Sequence, residues 1–161
     1  MVRRTHIDKR NAVAASGRGR RFVLIASQFH PDIAESLTRG AVGVLRRAGI
    51  APANIRIIRV PGAFELPVVA AKVARSRRRP HAVIVLGAVI RGDTPQYAVI
   101  AHAAANSLSH VAVATGVPVT FGVIVAETLA QARARAKGSR RHRGKEAARA
   151  ALEVLRALET L

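Results

Sequence analysis

Apolar and polar positions come in blocks along this chain, and the period of the blocks alternates. Short runs rich in β-branched residues, Arg21 to Ser27, Ile55 to Val60 and Val117 to Val125, read as strands. Another, Val83 to Leu86, is apolar at every position, the pattern of a strand buried on both faces. Between these runs the period lengthens toward that of a helix. Pro31 and Asp32 open a segment whose Ile33, Leu37, Ala41, Val44, Leu45 and Ala48 share one face, and Gly49 closes it. Further helices are predicted over about 65–76 and 95–114, and from Thr128 to Gly138, where Thr128 and Gln131 have capping-box spacing. A last helix, from Lys145 to Leu161, places Ala148, Ala151, Leu152, Leu155 and Leu158 on one side. The alternation predicts an α/β fold, a four-stranded, mostly parallel sheet with helices on both faces and right-handed crossovers. Residues 1–19 read as a basic N-terminal tail and 20–161 as one domain.

The stretch VIVLGAVIRGDTPQY, residues 83–97, reads as strand, turn and helix. Gly87 and Gly92 are expected to free the backbone at the strand end, Thr94 to cap the helix, and Pro95 to take its first position. Ligands of open α/β sheets bind at the carboxyl ends of strands, and helix N-termini present unpaired N–H groups, so Asp93 and Thr94 form a candidate phosphate seat. The other strand ends add Phe29, then Gly62-Ala63-Phe64-Glu65, then Ala88 to Thr94, with Phe121 inside the fourth strand. All are expected at one edge of the sheet. An aromatic plate, a carboxylate, backbone amides and an apolar wall suit a flat heterocycle stacked on Phe29, a polyol or amine hydrogen-bonded to Glu65, and a phosphate at the Asp93-Thr94 turn. Taken singly, Phe29 and Phe121 read more readily as core, Glu65 can be a carboxylate complementing its helix dipole, and Arg135 and Arg143 can be solvated charges.

Composition narrows the class. A chain of 161 residues fits one domain that buries roughly two thirds of its unfolded surface. With no cysteine, and six histidines without ligand spacing, neither a disulfide framework nor a metal cofactor is expected. The longest run free of Asp, Glu, Lys and Arg, Thr94 to Ala126, is interrupted by Gly116 and Pro118, and its most apolar part falls short of the ~20 residues of a spanning helix. The N-terminus lacks the apolar core of a secretory signal. A soluble, cytoplasmic protein with no membrane partner is the expectation. Twenty-seven Lys and Arg against nine acids give a net charge of +18, enough to draw polyanions without a specific site. The charge clusters at Arg3 to Arg21, at Arg75 to Arg79 and at Arg140 to Lys145, all predicted tail or loop. With one Tyr, four Phe and no Trp for base stacking, non-specific attraction is expected rather than sequence-specific recognition.

The segments VPGAFELPVVA (60–70), LGAVIRGDTP (86–95) and VPVTFGVI (117–124), with Arg135 and Arg143-Gly144, together resemble the lumazine synthase family of riboflavin biosynthesis. The resemblance covers nearly everything from Arg21 onward. It implies a single-domain, flavodoxin-like three-layer αβα sandwich that is oligomeric. The implied reaction condenses 5-amino-6-(ribitylamino)uracil with 3,4-dihydroxy-2-butanone 4-phosphate through a Schiff base, loss of phosphate and ring closure, with no metal or organic cofactor. The resemblance also implies that Phe29 stacks on the pyrimidine and that Ala63, Phe64 and Glu65 bind that substrate, Glu65 near the ribityl hydroxyls. Ala88, Val89 and Ile90 would hold the ring edge. Asp93, Thr94 and Arg135 would hold the phosphate, Arg135 as a fork-shaped donor. Arg143 occupies the place of the family's lysine near that site, and Phe121 would reach into a neighbouring subunit's pocket.

The departures carry expectations of their own. Gln96-Tyr97-Ala98-Val99-Ile100 stands where the family has His-Phe/Tyr-Asp-Tyr-Val, so Gln96 takes the place of the proton-transferring histidine. An amide does not titrate. General acid–base assistance is typically worth ~10²–10⁴-fold, so a slower enzyme is expected where binding and positioning survive. His30, where the family has Asn, is either a substitute proton carrier or a cap before Pro31. His102, six residues past Gln96, points elsewhere, roughly 240° around the helix. The short loop from Lys137 to His142 resembles that of members whose pentamers close into icosahedral shells of 60 subunits, so a homopentamer, and beyond it a shell, is expected. Two readings follow. Phe29, Glu65, Thr94, Phe121 and Arg135 kept as a set favour a working synthase with altered proton transfer. Gln96, Ala98 and the +18 charge favour a weak or inactive shell or scaffold that attracts nucleic acid or other polyanions.

Overall fold

A computed structural model describes residues 19–138 and 141–161; the predicted tail, but for Gly19, and Ser139 and Arg140 of the predicted loop lie outside the described residues. Strands β1 (Phe22–Ser27), β2 (Ile55–Val60), β3 (Ala82–Ile90) and β4 (Val119–Ala126) form one sheet in the order β2-β1-β3-β4. Every pairing is parallel. Helices α1 (Pro31–Arg47), α2 (Leu66–Ala74) and α3 (Gln96–Thr115) supply the crossovers that parallel strands require, and α4 (Leu129–Lys137) and α5 (Arg143–Leu158) follow the last strand. Both faces are therefore covered. Phe22, Leu24, Ile84 and Leu86 pack toward α1, α4 and α5, while Val23, Ile25, Val83 and Val85 pack toward α2 and α3. This is the expected three-layer α/β sandwich, with the sheet wholly parallel.

Local chemistry explains most element boundaries. Gly49, with φ 85°, closes α1, and the Ile50 N–H returns to the Leu45 carbonyl at 3.1 Å. Every apolar residue predicted on the inner face of α1 is buried. The capping box forms, with the Gln131 N–H donating to Thr128 Oγ1 at 3.1 Å and the Thr128 N–H to Gln131 Oε1 at 3.3 Å. Other expectations are corrected. β3 does not end near Leu86 but runs through Gly87 to Ile90. Gly87 serves packing, since a Cβ there would overlap Ser27 Oγ on β1. Thr94 makes no cap, and α3 starts at Gln96 after Pro95. A 3₁₀ turn, Ala63–Glu65, precedes α2. α5 begins at Arg143, two residues early, because His142 caps it: its Nδ1 accepts from the Lys145 N–H at 3.4 Å. Leu158, at the fraying end of α5, is 47% exposed rather than core.

Candidate active site

Although β1 and β3 are adjacent, the chain leaves β1 for α1 on one face and β3 for α3 on the other. That divergence opens a crevice at the carboxyl edge of the sheet, the switch point where such folds bind ligands. Phe29 and His30 follow β1 there, Ala63 to Glu65 follow β2, and Ala88 to Thr94 finish β3 and its turn. The Gln28 N–H donates to the Val60 carbonyl at 2.8 Å, extending the β1–β2 ladder to the foot of Phe29. Phe29 is 76% exposed, its ring edge-on to His30 with centroids 5.2 Å apart, so it is not a core residue. His30 precedes α1 but its side chain caps nothing, which removes the capping alternative. The Glu65 carboxylate folds back over Gly62, where a Cβ would lie 3.0 Å from Oε2. Ala63, Ala88 and Val89 are buried and Ile90 half-buried, an apolar wall, whereas Phe64, Asp93, Thr94 and Gln96 are exposed.

Sequence reasoning missed Glu127, just past β4. Its carboxylate accepts from the Arg91 guanidinium at 2.8 Å and from the Tyr97 hydroxyl at 3.0 Å. Its own N–H donates to Gln131 Oε1 at 2.9 Å. The α4 cap thus fixes Glu127, and Glu127 fixes both ends of the turn that carries Asp93 and Thr94. The bonds from Arg91 and then Tyr97 hold the Glu127 carboxyl below the usual range, and the same bond raises the Tyr97 hydroxyl. Nothing in the spacing of these residues announces a contact across more than thirty positions, as between Arg91 and Glu127.

Phe121 does not reach this edge, so the expected gathering is corrected for a single chain, and Arg135 and Arg143 are tied to Glu146. Phe121 pairs with Val85 in mid-sheet, five residues before Ala126. At about 3.3 Å per residue that leaves it roughly 16 Å short of the carboxyl edge. It packs, half-buried, on the α2–α3 side of the core. β4 is an edge strand, and the Arg143 guanidinium covers it, Nη2 donating to the Phe121 carbonyl at 2.6 Å. Glu146, also unforeseen although it lies one helical turn from Arg143, accepts two bonds from Arg135 at 3.0 and 2.8 Å and approaches Arg143 at 3.5 Å. Arg135 donates in addition to the Arg141 carbonyl at 2.9 Å. Arg135 first, then Arg143, holds the Glu146 carboxyl below its ordinary value. The arginines are thus not free solvated charges; their side chains are 35% and 34% exposed.

One chain therefore carries two separate groups. The edge group offers a stacking plate, a carboxylate with no ion-pair partner among the described residues, an apolar wall and the start of a helix, which suit a flat ring with a hydroxylated chain and an anion. The β4 group offers two guanidiniums oriented by one carboxylate, which suit an anion. Gln96, in the first turn of α3, can hydrogen-bond but cannot carry a proton. Among the described residues no cluster of His, Asp or Glu could hold a metal ion, and no helix is long and apolar enough to cross a membrane.

The sequence matches the family model for 6,7-dimethyl-8-ribityllumazine synthase over residues 19–159. It is 43% identical over 144 residues to the 6,7-dimethyl-8-ribityllumazine synthase of Nitratidesulfovibrio vulgaris, covering 89% of this chain and 92% of that one. The like-named protein of Stenotrophomonas maltophilia is 46% identical over 141 residues, 88% of this chain and 90% of its own. That of Gemmatimonas aurantiaca is 46% identical over 139 residues, 86% and 84%.

Proposed function

The chain belongs to the lumazine synthase family, and on that premise we propose that its active site is divided between two copies of the chain. It is an enzyme of riboflavin biosynthesis that condenses 5-amino-6-(ribitylamino)uracil with 3,4-dihydroxy-2-butanone 4-phosphate. One copy supplies the carboxyl edge and its neighbour the β4 group. The observation that carries this reading is the gap of roughly 16 Å between Phe121 and the edge within one chain.

In this reading the pyrimidine stacks on Phe29, Glu65 accepts hydrogen bonds from the ribityl hydroxyls, and Ala63, Phe64 and Ala88 to Ile90 enclose the ring. The phosphate sits at the Asp93-Thr94 turn, at the start of α3. Arg135 of the partner subunit, oriented by its own Glu146, neutralises it with Arg143 of the partner subunit, and Phe121 of the partner subunit closes the pocket. The substrate's primary amine attacks the ketone carbon. Loss of water gives the Schiff base, elimination of phosphate leaves an enol that tautomerises to a ketone at the neighbouring carbon, and the ribitylamino nitrogen closes the ring on that new carbonyl with loss of a second water. Orienting the two substrates supplies much of the rate. Protons must move at each dehydration and at phosphate loss. Gln96 cannot move them, and the His30 imidazole, against Phe29, takes over part of that work.

The assembly is a homopentamer, with a 60-subunit shell built from it, working in the cytoplasm. Its charge of +18 per chain attracts nucleic acid and other polyanions without sequence preference. The second reading, a shell or scaffold without useful catalysis, is favoured by Gln96 alone among the site residues.

The test is steady-state lumazine formation at neutral pH against an enzyme-free control, with Gln96→His and His30→Ala beside the parent. The expected result is a rate above background that rises about tenfold or more in Gln96→His. In His30→Ala the pH profile should change. Background rates in both the parent and Gln96→His would leave the scaffold.

A further inference from the structure

The amino edge of the sheet, opposite the crevice, is where this chain gathers uncompensated charge. α2 ends at Ala74, and the chain returns to β3 through Arg75-Ser76-Arg77-Arg78-Arg79-Pro80, every arginine of which is exposed. No acid occurs between Glu65 and Asp93. Arg21, just before β1, is held against this loop. Its N–H donates to His81 Nδ1 at 2.9 Å and its Nη2 to the Arg79 carbonyl at 3.1 Å. Lys72 adds a charge from the last turn of α2. Among the described residues no ion pair includes Arg21, Lys72, Arg75, Arg77, Arg78 or Arg79.

Local structure explains only part of this. A helix C-terminus favours a cation, which accounts for Lys72 and Arg75. Among the described residues Arg77, Arg78 and Arg79 have no helix end, carboxylate or core contact to explain them, and like charges within a Debye length of about 8 Å repel. Burial, and then the charges of Arg21 and Arg20, depresses the His81 pKa, in keeping with a positive local potential. Arg21, Arg75 and Arg78 also rim a cleft of about 1090 Å³ between α2 and β2, whose low-dielectric walls focus the field.

We propose that this amino edge is a docking surface for the phosphate backbone of nucleic acid, read without regard to sequence. The proposal rests on the polyanion attraction inferred above and gives it a place. Sequence-blind reading follows because the exposed Phe29 and Phe64 stand at the opposite edge, so this patch offers phosphate-binding charge without a Phe, Tyr or Trp platform for bases. Val68, exposed on the cleft wall, is a small side chain, and no exposed Phe or Leu stands beside the cations among the described residues, which disfavours a membrane surface. β3, nine residues long, sets the two edges roughly 26 Å apart, so a bound strand leaves the crevice open.

The experiment titrates the full-length protein with a fluorescein-labelled duplex of arbitrary sequence across a sodium chloride series, reading anisotropy. Arg77→Glu/Arg78→Glu/Arg79→Glu is compared with Arg46→Glu/Arg47→Glu/Arg149→Glu, which changes the charge equally on the α1–α5 side. The patch variant should bind about tenfold or more weakly and lose roughly 1 from the log–log salt slope for each phosphate contact removed, while the control stays within about threefold of the parent. Lumazine formation should be unchanged in the patch variant, which also certifies its fold; if it misfolds, the corresponding triple Gln variant takes its place with the same expected direction. Equal losses in both variants would mean attraction without a site. No binding by the parent would remove the polyanion attraction itself. Patch-dependent binding to phosphatidylserine vesicles in preference to the duplex would make the partner a lipid surface. Each of these three results overturns the proposal.

Discussion

Ser27 and Gly87 meet at the floor of the crevice, and their contact shows how little freedom single positions have here. Ser27 is 1% exposed, its hydroxyl has no partner among the described residues, and it occupies the space a Cβ at Gly87 would need. Gly87→Ala should therefore destabilise the fold by about 1–3 kcal/mol as overpacking does, and Ser27→Gly in the same chain should restore most of that loss. Urea unfolding of the single and double variants measures both. Arg135 makes a different prediction. Its two bonds to Glu146 need a planar fork, so Arg135→Lys keeps the charge but loses the geometry. On the proposed site the KM for the butanone phosphate should rise several-fold while that for the ribitylaminouracil stays near the parent value, a split that steady-state kinetics with each substrate varied in turn would read.

At the scale of elements, α5 is docked on α1 by glycines. A Cβ at Gly40 would overlap the His142 ring, and one at Gly144 would overlap the Leu37 carbonyl. His142 is buried as it caps α5, its Nδ1 accepting from the Lys145 N–H. Burial, then the Lys145 charge, lowers its pKa, with Glu146 opposing. The folded chain therefore binds this proton less readily than the unfolded one. Stability is complete above the ordinary histidine pKa near ~6.5 and falls as the pH drops from there toward the depressed folded value. Replacing His142 by Asn, a good cap without a titrating ring, should flatten that fall in thermal melts taken between pH 7 and 5.

Local signals account for what the sequence disclosed of these elements. Gly49, the Thr128–Gln131 box and the inner face of α1 are short-range patterns and fall where periodicity puts them. The length of β3 was hidden because Gly87 reads as a turn until Ser27 is seen beside it. His142 and Glu127 were hidden because their roles depend on partners brought near by the fold. The edge residues Phe29, Ala63 to Glu65 and Ala88 to Thr94 were legible as strand ends, since a parallel sheet aligns such ends on one side. Phe121 was not, because its depth depends on register against β3, which no single strand encodes.

The whole molecule is a sheet with different chemistry at its two ends and a cation pair midway along one side. Glu65 and the phosphate turn lie at the carboxyl end, Arg143 bonds the middle of β4 with Arg135 joined to it through Glu146, and the arginine loop lies at the amino end. Two copies can unite the first two groups where one chain cannot. The central claim is that shared site, and mixing two crippled chains tests it most directly. Glu65→Ala and Arg135→Ala should each form lumazine slowly when purified alone. Co-refolded together, they should regain activity well above the sum of the two, because some interfaces then pair an intact Glu65 edge with an intact Arg135 group. Activity that never exceeds that sum, in mixtures shown to contain both chains in one assembly, would contradict a site divided between subunits.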